Sequence, residues 1–174
     1  QYQAPGLAAQ TIARHGLTRE MVPTPLLQHA VVWEALLERM PLTALVRNLG
    51  TMTKVGLLAP YSRAAKRVVE RLGDTAAIRK ARVHPVAILA ALKTYAQGHG
   101  MKGKNSWQPV AQVVDALDRA FYLAFRNAPS TGRRVMLALD VSGSMTSRVL
   151  GMEYLSCREA SAAMALVTAA TEPH

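Results

Sequence analysis

Asp140, Ser142 and Ser144 stand at alternate positions of the run Asp140-Val141-Ser142-Gly143-Ser144. A carboxylate and two hydroxyls are hard oxygen donors, suited to Mg²⁺ or another small divalent cation. Gly143 permits a tight turn that aims both hydroxyls one way. The run follows Val135-Met136-Leu137-Ala138-Leu139, a continuous apolar stretch that reads as a buried parallel strand. The carboxyl ends of such strands are where α/β folds place ligands. Three donors leave an octahedral ion half-bound, so the cation site is incomplete in this chain. The other role open to the serines is local: bonding their own loop and capping the helix that follows.

Hydrolysis finds no support in the same residues, and the chain is expected not to be an enzyme. The serines lack the Gly-x-Ser-x-Gly elbow, and no histidine is placed to act as their base. Cys157 has only Arg158 beside it as an electropositive neighbour and reads as a packed thiol.

The second concentration of chemistry is positive charge. Lys and Arg number 21 against 11 Asp and Glu, a formal +10. Residues 133–174 are balanced, with 4 basic and 4 acidic side chains. Residues 39–104 hold 13 basic side chains and only 2 acids, Glu70 and Asp74. A field of that sign attracts phosphate polymers or an anionic surface. Within the stretch, the loop from Gly98 to Trp107 combines three glycines, two lysines, a histidine and a tryptophan. Glycines admit close backbone approach, lysines contact phosphate, and aromatic rings stack on unpaired bases. The competing role for that loop is a surface connection whose tryptophan packs back on the fold.

The elements that must position these groups are mostly helices. Thr24-Pro25 reads as an N-cap with proline at the first helical position, followed by apolar residues at helical spacing to Met40. Pro41 opens a helix that Gly50 is expected to end. Ser62 caps a helix to Leu72, Asp74 a short one to about Arg82, and His84-Pro85 one to Gln97. Pro109 opens the last of six, through Phe125. Ala128 to Gly132 is a linker signal, after which strand, tight loop and an Ala-rich helix over Glu153 to Thr171 mark the start of an α/β unit. The expected architecture is therefore mainly α: a paired-helix array over 1–132, then the first strand-loop-helix of an α/β domain over 133–174. About 40 residues are too few to bury that strand, so the chain reads as a fragment of a longer protein.

Composition narrows the classes further. Half the residues are hydrophobic, which excludes a disordered chain. A single cysteine excludes a disulfide framework. No apolar stretch is long enough to span a bilayer, and no basic-then-apolar leader opens the sequence. A cytoplasmic protein with no membrane partner is expected. No helix-turn-helix or zinc-finger pattern is present to read a major groove, so double-stranded DNA is not an expected partner.

Several blocks, in order, carry a family resemblance. Met40 to Gly50 with Thr51-Met52-Thr53 resembles the core of the TROVE module. So do Ala81-Arg82-Val83-His84-Pro85, Leu92-Lys93-Thr94-Tyr95, Gly98-His99-Gly100 and Gly103-Lys104 with Trp107. Leu137 to Met145 resembles the start of a von Willebrand factor A domain, where aspartate-x-serine-x-serine begins a metal-ion-dependent adhesion site. The family is that of the Ro ribonucleoprotein autoantigen and its bacterial relatives.

The resemblance implies a HEAT-like ring of paired helices closed by the A-type domain. It implies binding of small noncoding Y RNAs on a basic outer surface, and of single-stranded 3′ ends of misfolded RNAs in a central hole, in RNA quality control. It leaves room for an exoribonuclease partner in the full-length protein. Asp140, Ser142 and Ser144 match its cation ligands for Mg²⁺ or another divalent ion. His15 stands where the family has a histidine implicated in Y RNA contact. Arg47, Lys54, Arg82, His84, Lys93, His99, Lys102 and Lys104 are the candidate RNA surface, lying in matched blocks of the basic stretch. The alternative function is a protein-interaction module, adhesive or scaffolding, working through the metal site.

Overall fold

The computed structural model describes residues 4–100 and 105–173. Eight α-helices, four short 3₁₀ turns and one hairpin make up its regular structure among these residues. The helices are α1 (Pro5–His15), α2 (Ala30–Leu37), α3 (Leu42–Lys54), α4 (Arg63–Gly73), α5 (Thr75–Ala81), α6 (Pro85–Ala96), α7 (Ala111–Leu123) and α8 (Cys157–Thr171). The hairpin pairs β1 (Arg148–Val149) with β2 (Met152–Ser156), antiparallel.

Local chemistry sets most boundaries. Ser62 Oγ accepts from Ala65 N at 3.1 Å, opening α4. Asp74 Oδ1 accepts from Ala76 N and Ala77 N at 2.9 and 3.0 Å, opening α5. His84 Nδ1 accepts from Val86 N at 3.2 Å, with Pro85 at the first position of α6. Each such cap satisfies a backbone donor that the helix itself leaves open. α1 has the same punctuation: proline at its start, and Gly16 in the left-handed region at its end.

Helix packs on helix through one core. α1 lies against α2, and α7 lies against both α4 and α6. Trp33, Leu37, Leu45, Leu49, Met52, Leu72, Ile78, Ile88 and Leu117 are its largest fully buried members. No polar or charged residue is buried among those described, so the interior is held by apolar burial and dispersion. Ala163 of α8 belongs to this same core, so the second half of the chain docks onto the first.

Four expectations differ from the structure. Thr24–Gln28 forms a 3₁₀ turn, and α2 begins only at Ala30. Trp33 Nε1 donates to Leu27 O at 2.8 Å and pins that turn. Gly50 does not end α3, which continues to Lys54; glycine is there to receive the Trp107 ring. The helix expected from Glu153 starts at Cys157, because Ser156 and Glu159 form a reciprocal capping box. Residues 133–141 carry no ladder hydrogen bonds, and Met136 and Val141 are among the most exposed apolar side chains. A buried parallel strand needs neighbouring strands on its edges and cover on both faces. Among the described residues the only sheet is the β1–β2 hairpin.

Candidate nucleic-acid interface

A groove of about 460 Å³ runs between α3 and α6. Its α6 wall is Ala87, Ala90 and Ala91, side chains too small to fill the gap. Thr43, Thr51 and Thr94 put hydroxyls along it, Arg47 supplies a cation, and Trp107 lies at the loop end. Apolar lining with a few placed polar groups and one positive charge is the make-up of a ligand cleft.

The glycine-rich loop closes that end in a defined way. Gly98 has φ +81, and a Cβ there would meet Trp107 O at 2.8 Å. Only glycine therefore allows Trp107 N to donate to Gly98 O at 2.8 Å. His99 and Ser106 form an antiparallel bridge just beyond. The Trp107 indole packs on Gly50 and sits roughly parallel to Tyr95, with ring centroids 6.2 Å apart. Its Nε1 donates to Tyr95 O at 3.0 Å. Trp107 is thus a packed wall of the groove with its polar handle already used, rather than a free stacking platform. Tyr95 is buried behind it. Its hydroxyl meets Thr53 Oγ1 at 2.9 Å and accepts from Val110 N at 3.2 Å, while burial holds its pKa above the ordinary tyrosine value.

The candidate RNA residues divide by what already engages them. Arg47 is exposed on the groove. Lys54, at the end of α3, donates to Asn105 Oδ1 at 2.6 Å and so joins the same end. Lys93 Nζ lies 2.5 Å from Glu159 Oε1, so α8 holds it. Glu159 is drawn down to about 2 by that hydrogen bond and by Ser156 N. His84 spends Nδ1 on the cap of α6 and is otherwise exposed. His99 sits edge-on to Tyr154 of β2, with centroids 5.7 Å apart. His15 is exposed at the end of α1, away from the groove. Arg82 lies outside it as well, on a separate depression with Arg79, Lys80 and Arg126. Lys102 and Lys104 lie outside the described residues.

Reading the sequence as linear blocks missed two groupings. The threonines of the groove carry no charge signal. Arg126 reaches Arg82 only through the fold, although the run Arg79-Lys80-Ala81-Arg82 was visible. Other cations of the basic stretch serve the fold. Arg67 binds Glu38 through both carboxylate oxygens, at 2.5 and 2.8 Å. Arg71 donates to Leu37 O at 2.9 Å and to Met40 O, satisfying carbonyls at the end of α2 and just beyond it.

The oxygen cluster is exposed. Asp140 Oδ1 accepts from Ser142 N at 2.8 Å, and Ser142 Oγ lies 2.9 Å from Ser144 Oγ. The Ser142 N–H and hydroxyl hold the Asp140 pKa below its ordinary value. The motif thus already gathers three hard oxygens on one turn, a donor set that fits Mg²⁺ in kind but supplies only half its ligands.

A helical array followed by an aspartate-serine-serine turn is the order of two known domain families. The TROVE domain family matches residues 12–94, and the Ro60 vWA domain family matches residues 134–174. The chain belongs to the TROVE-module Ro family. It is 48% identical over 166 residues to the Caenorhabditis elegans protein named RNA-binding protein RO60, covering 95% of this chain and 25% of that one. The Deinococcus radiodurans protein of the same name is 45% identical over 173 residues, 98% of this chain and 32% of the relative. The crystal structure of the Deinococcus radiodurans RO (RSR) protein superposes with a TM-score of 0.90 at 45% identity, covering 98% of this chain and 35% of that one. The chain therefore spans between a quarter and about a third of the length of these relatives.

Proposed function

We propose that this chain is the RNA-contacting end of a Ro-type TROVE module, binding structured noncoding RNA with a single-stranded end. The observation that carries the reading is the α3–α6 groove, where Arg47, three threonine hydroxyls and Gly100, Asn105 and Trp107 converge on one concave face. Phosphate contacts from such a face give affinity that is salt-sensitive and modest in sequence preference. Both curated relatives are named RNA-binding proteins. In the whole protein the proposed ligands are Y RNAs and the 3′ ends of misfolded RNAs, with an exoribonuclease as protein partner. The pairwise packing of helices supports a HEAT-like array. No described helix is long and apolar enough to cross a membrane, and a cytoplasmic location is part of the proposal. So is a binding rather than a catalytic role.

Asp140, Ser142 and Ser144 would hold a divalent cation, and the ion would supply local positive charge for an acidic partner group. The RNA reading assigns that ion no part in the groove.

The test is the Arg47→Gln/Lys54→Gln variant in a fluorescence-anisotropy titration with a labelled stem-loop RNA. Affinity should fall several-fold, and the slope of log K against log salt should shrink by about 1 to 2, near 0.7–0.9 per lost phosphate contact. An unchanged slope would remove the groove from the RNA site.

A further inference from the structure

The turn from Ala59 to Ser62 carries a large aromatic side chain at a position that favours glycine. Ser62 N donates to Ala59 O at 3.1 Å, with Pro60 second in the turn and Tyr61 third. Tyr61 has φ 60, in the left-handed region. Proline followed by a positive φ is the pattern of a type II turn, whose third position selects glycine. A bulky residue there is strained. Two more bonds hold the turn: Tyr61 N donates to Gln112 Oε1 of α7 at 3.1 Å, and Ala59 N to Ser62 Oγ at 3.3 Å. The turn accounts for the positive φ but not for a tyrosine, since the residue is 87% exposed and adds little to the core. Strain retained beneath an exposed side chain points to a task for that side chain.

Tyr61 borders a cleft of about 300 Å³ between α4 and α7. Val69 gives the cleft an apolar patch, Lys66 and Arg119 bring cations, and Gln112 and Asp115 complete the lining. Lys66 and Arg119 are exposed, and neither makes an ion pair among the described residues. Arg67 on the same helix as Lys66 is, by contrast, held by Glu38. Gln112 spends its carbonyl oxygen on the Tyr61 turn and keeps its amide N–H groups as donors. These groups answer every part of a peptide. Tyr61 and Val69 take an apolar side chain, Lys66 and Arg119 a carboxylate, Gln112 a backbone carbonyl and Asp115 a backbone N–H. Asp115 also sets the cleft against a phosphate polymer, because a carboxylate in the lining repels each phosphate.

We propose that the α4–α7 cleft is a docking site for an acidic, extended peptide segment of a partner protein, with Tyr61 as its anchor. Tyrosine suits the role, since it offers a large rigid apolar face and a polar tip at low entropic cost. The two unpaired cations select a carboxylate beside the apolar residue that meets the ring. The fixed turn holds Tyr61 in place before the partner arrives, which lowers the cost of ordering it. The site stands apart from the RNA-binding reading: no residue lines both this cleft and the α3–α6 groove, so both can be filled at once.

The test selects a randomised displayed peptide library on the chain, with the Tyr61→Ala variant as counter-target, and titrates a labelled selected peptide by anisotropy. Selection should enrich sequences that place aspartate or glutamate next to an apolar residue. Tyr61→Ala should weaken the peptide about tenfold or more, the loss typical of a truncated anchor. Lys66→Gln/Arg119→Gln should weaken it and flatten its salt dependence, while Arg47→Gln in the groove should leave it unchanged. Tyr61→Gly separates binding from folding. Its Tm should be at or above that of wild type, since the strain is relieved, yet the peptide should be lost. The proposal is overturned if nothing is enriched over the counter-target, if the enriched peptides lack acidic residues, or if either Tyr61 variant keeps wild-type affinity. Displacement of the peptide by a stem-loop RNA would overturn it as well and assign the cleft to RNA. Failure of the chain to bind RNA would touch the RNA reading alone.

Discussion

The Trp107 ring occupies the space that any side chain at position 50 would need. A Cβ on Gly50 would lie 2.7–2.8 Å from three carbons of the indole. Helix α3 carries a glycine in its interior so that the loop ending at Trp107 can seat against it.

Gly50→Ala is therefore expected to destabilise the protein although alanine is the better helix former. The propensity gain is about 1 kcal/mol. Overpacking against a half-buried indole costs about 1–3 kcal/mol. Urea unfolding should show a lower midpoint for Gly50→Ala and recovery in Gly50→Ala/Trp107→Ala relative to Trp107→Ala. A Gly50→Ala protein more stable than wild type would mean that the ring does not sit there.

Glu159 links stability to acid. Its folded pKa of about 2 lies below the ordinary 4.5, so folding favours its charged form. The stabilisation is whole above pH 4.5 and is lost as pH falls toward 2. The Lys93 hydrogen bond is the larger cause and the Ser156 N–H the next, but Lys93 and Glu159 are 40% and 38% exposed, so solvent screens the pair. Glu159→Gln should cost about 1 kcal/mol near neutrality. Its deficit should vanish in denaturant melts taken near pH 2. A deficit of constant size across that range would contradict the linkage.

Asn127→Ala should destabilise by about 1–3 kcal/mol, because the carbonyls of Ile78 and Val83 both lose their donor. Hydrogen exchange should rise at the α5–α6 turn before it rises in α3. Uniform loss of protection would show that Asn127 acts on the whole core instead.

The oxygen cluster separates the two functional readings. Ser142→Ala removes one of three donors while leaving the helical core untouched, since residues 131–144 are exposed. RNA affinity should stay within about twofold, as no phosphate contact is lost. Weak Mg²⁺ binding by calorimetry should disappear. RNA binding that fails with Ser142→Ala would tie the groove to the metal site and favour an ion-dependent interaction module.

Helices whose ends are written in caps were legible in the sequence. Ser62, Asp74 and His84-Pro85 each open a helix within a residue of where their side-chain chemistry requires. Errors fell where a tertiary contact overrode a local signal. Gly50 carries the mark of a helix end but answers to Trp107, a partner more than fifty positions away. Val135 to Leu139 carries the pattern of a buried strand, yet a strand forms only against neighbours. For the site, residue types marked Arg47, Lys54 and Arg82 as basic surface. They could not show that Arg47 faces the groove and Arg82 a different depression, nor that Glu159 would claim Lys93. Those assignments depend on which helix faces which, and that is decided by packing.

The central claim is RNA binding by the basic helical face. Anisotropy of a labelled stem-loop RNA with a single-stranded 3′ tail tests it most directly, at two salt concentrations, beside a blunt RNA duplex and a DNA duplex. The account predicts tightest binding to the tailed RNA, weakening as salt rises. Equal and weak binding to all three would contradict it, leaving only the unspecific attraction of a chain with a formal charge of +10.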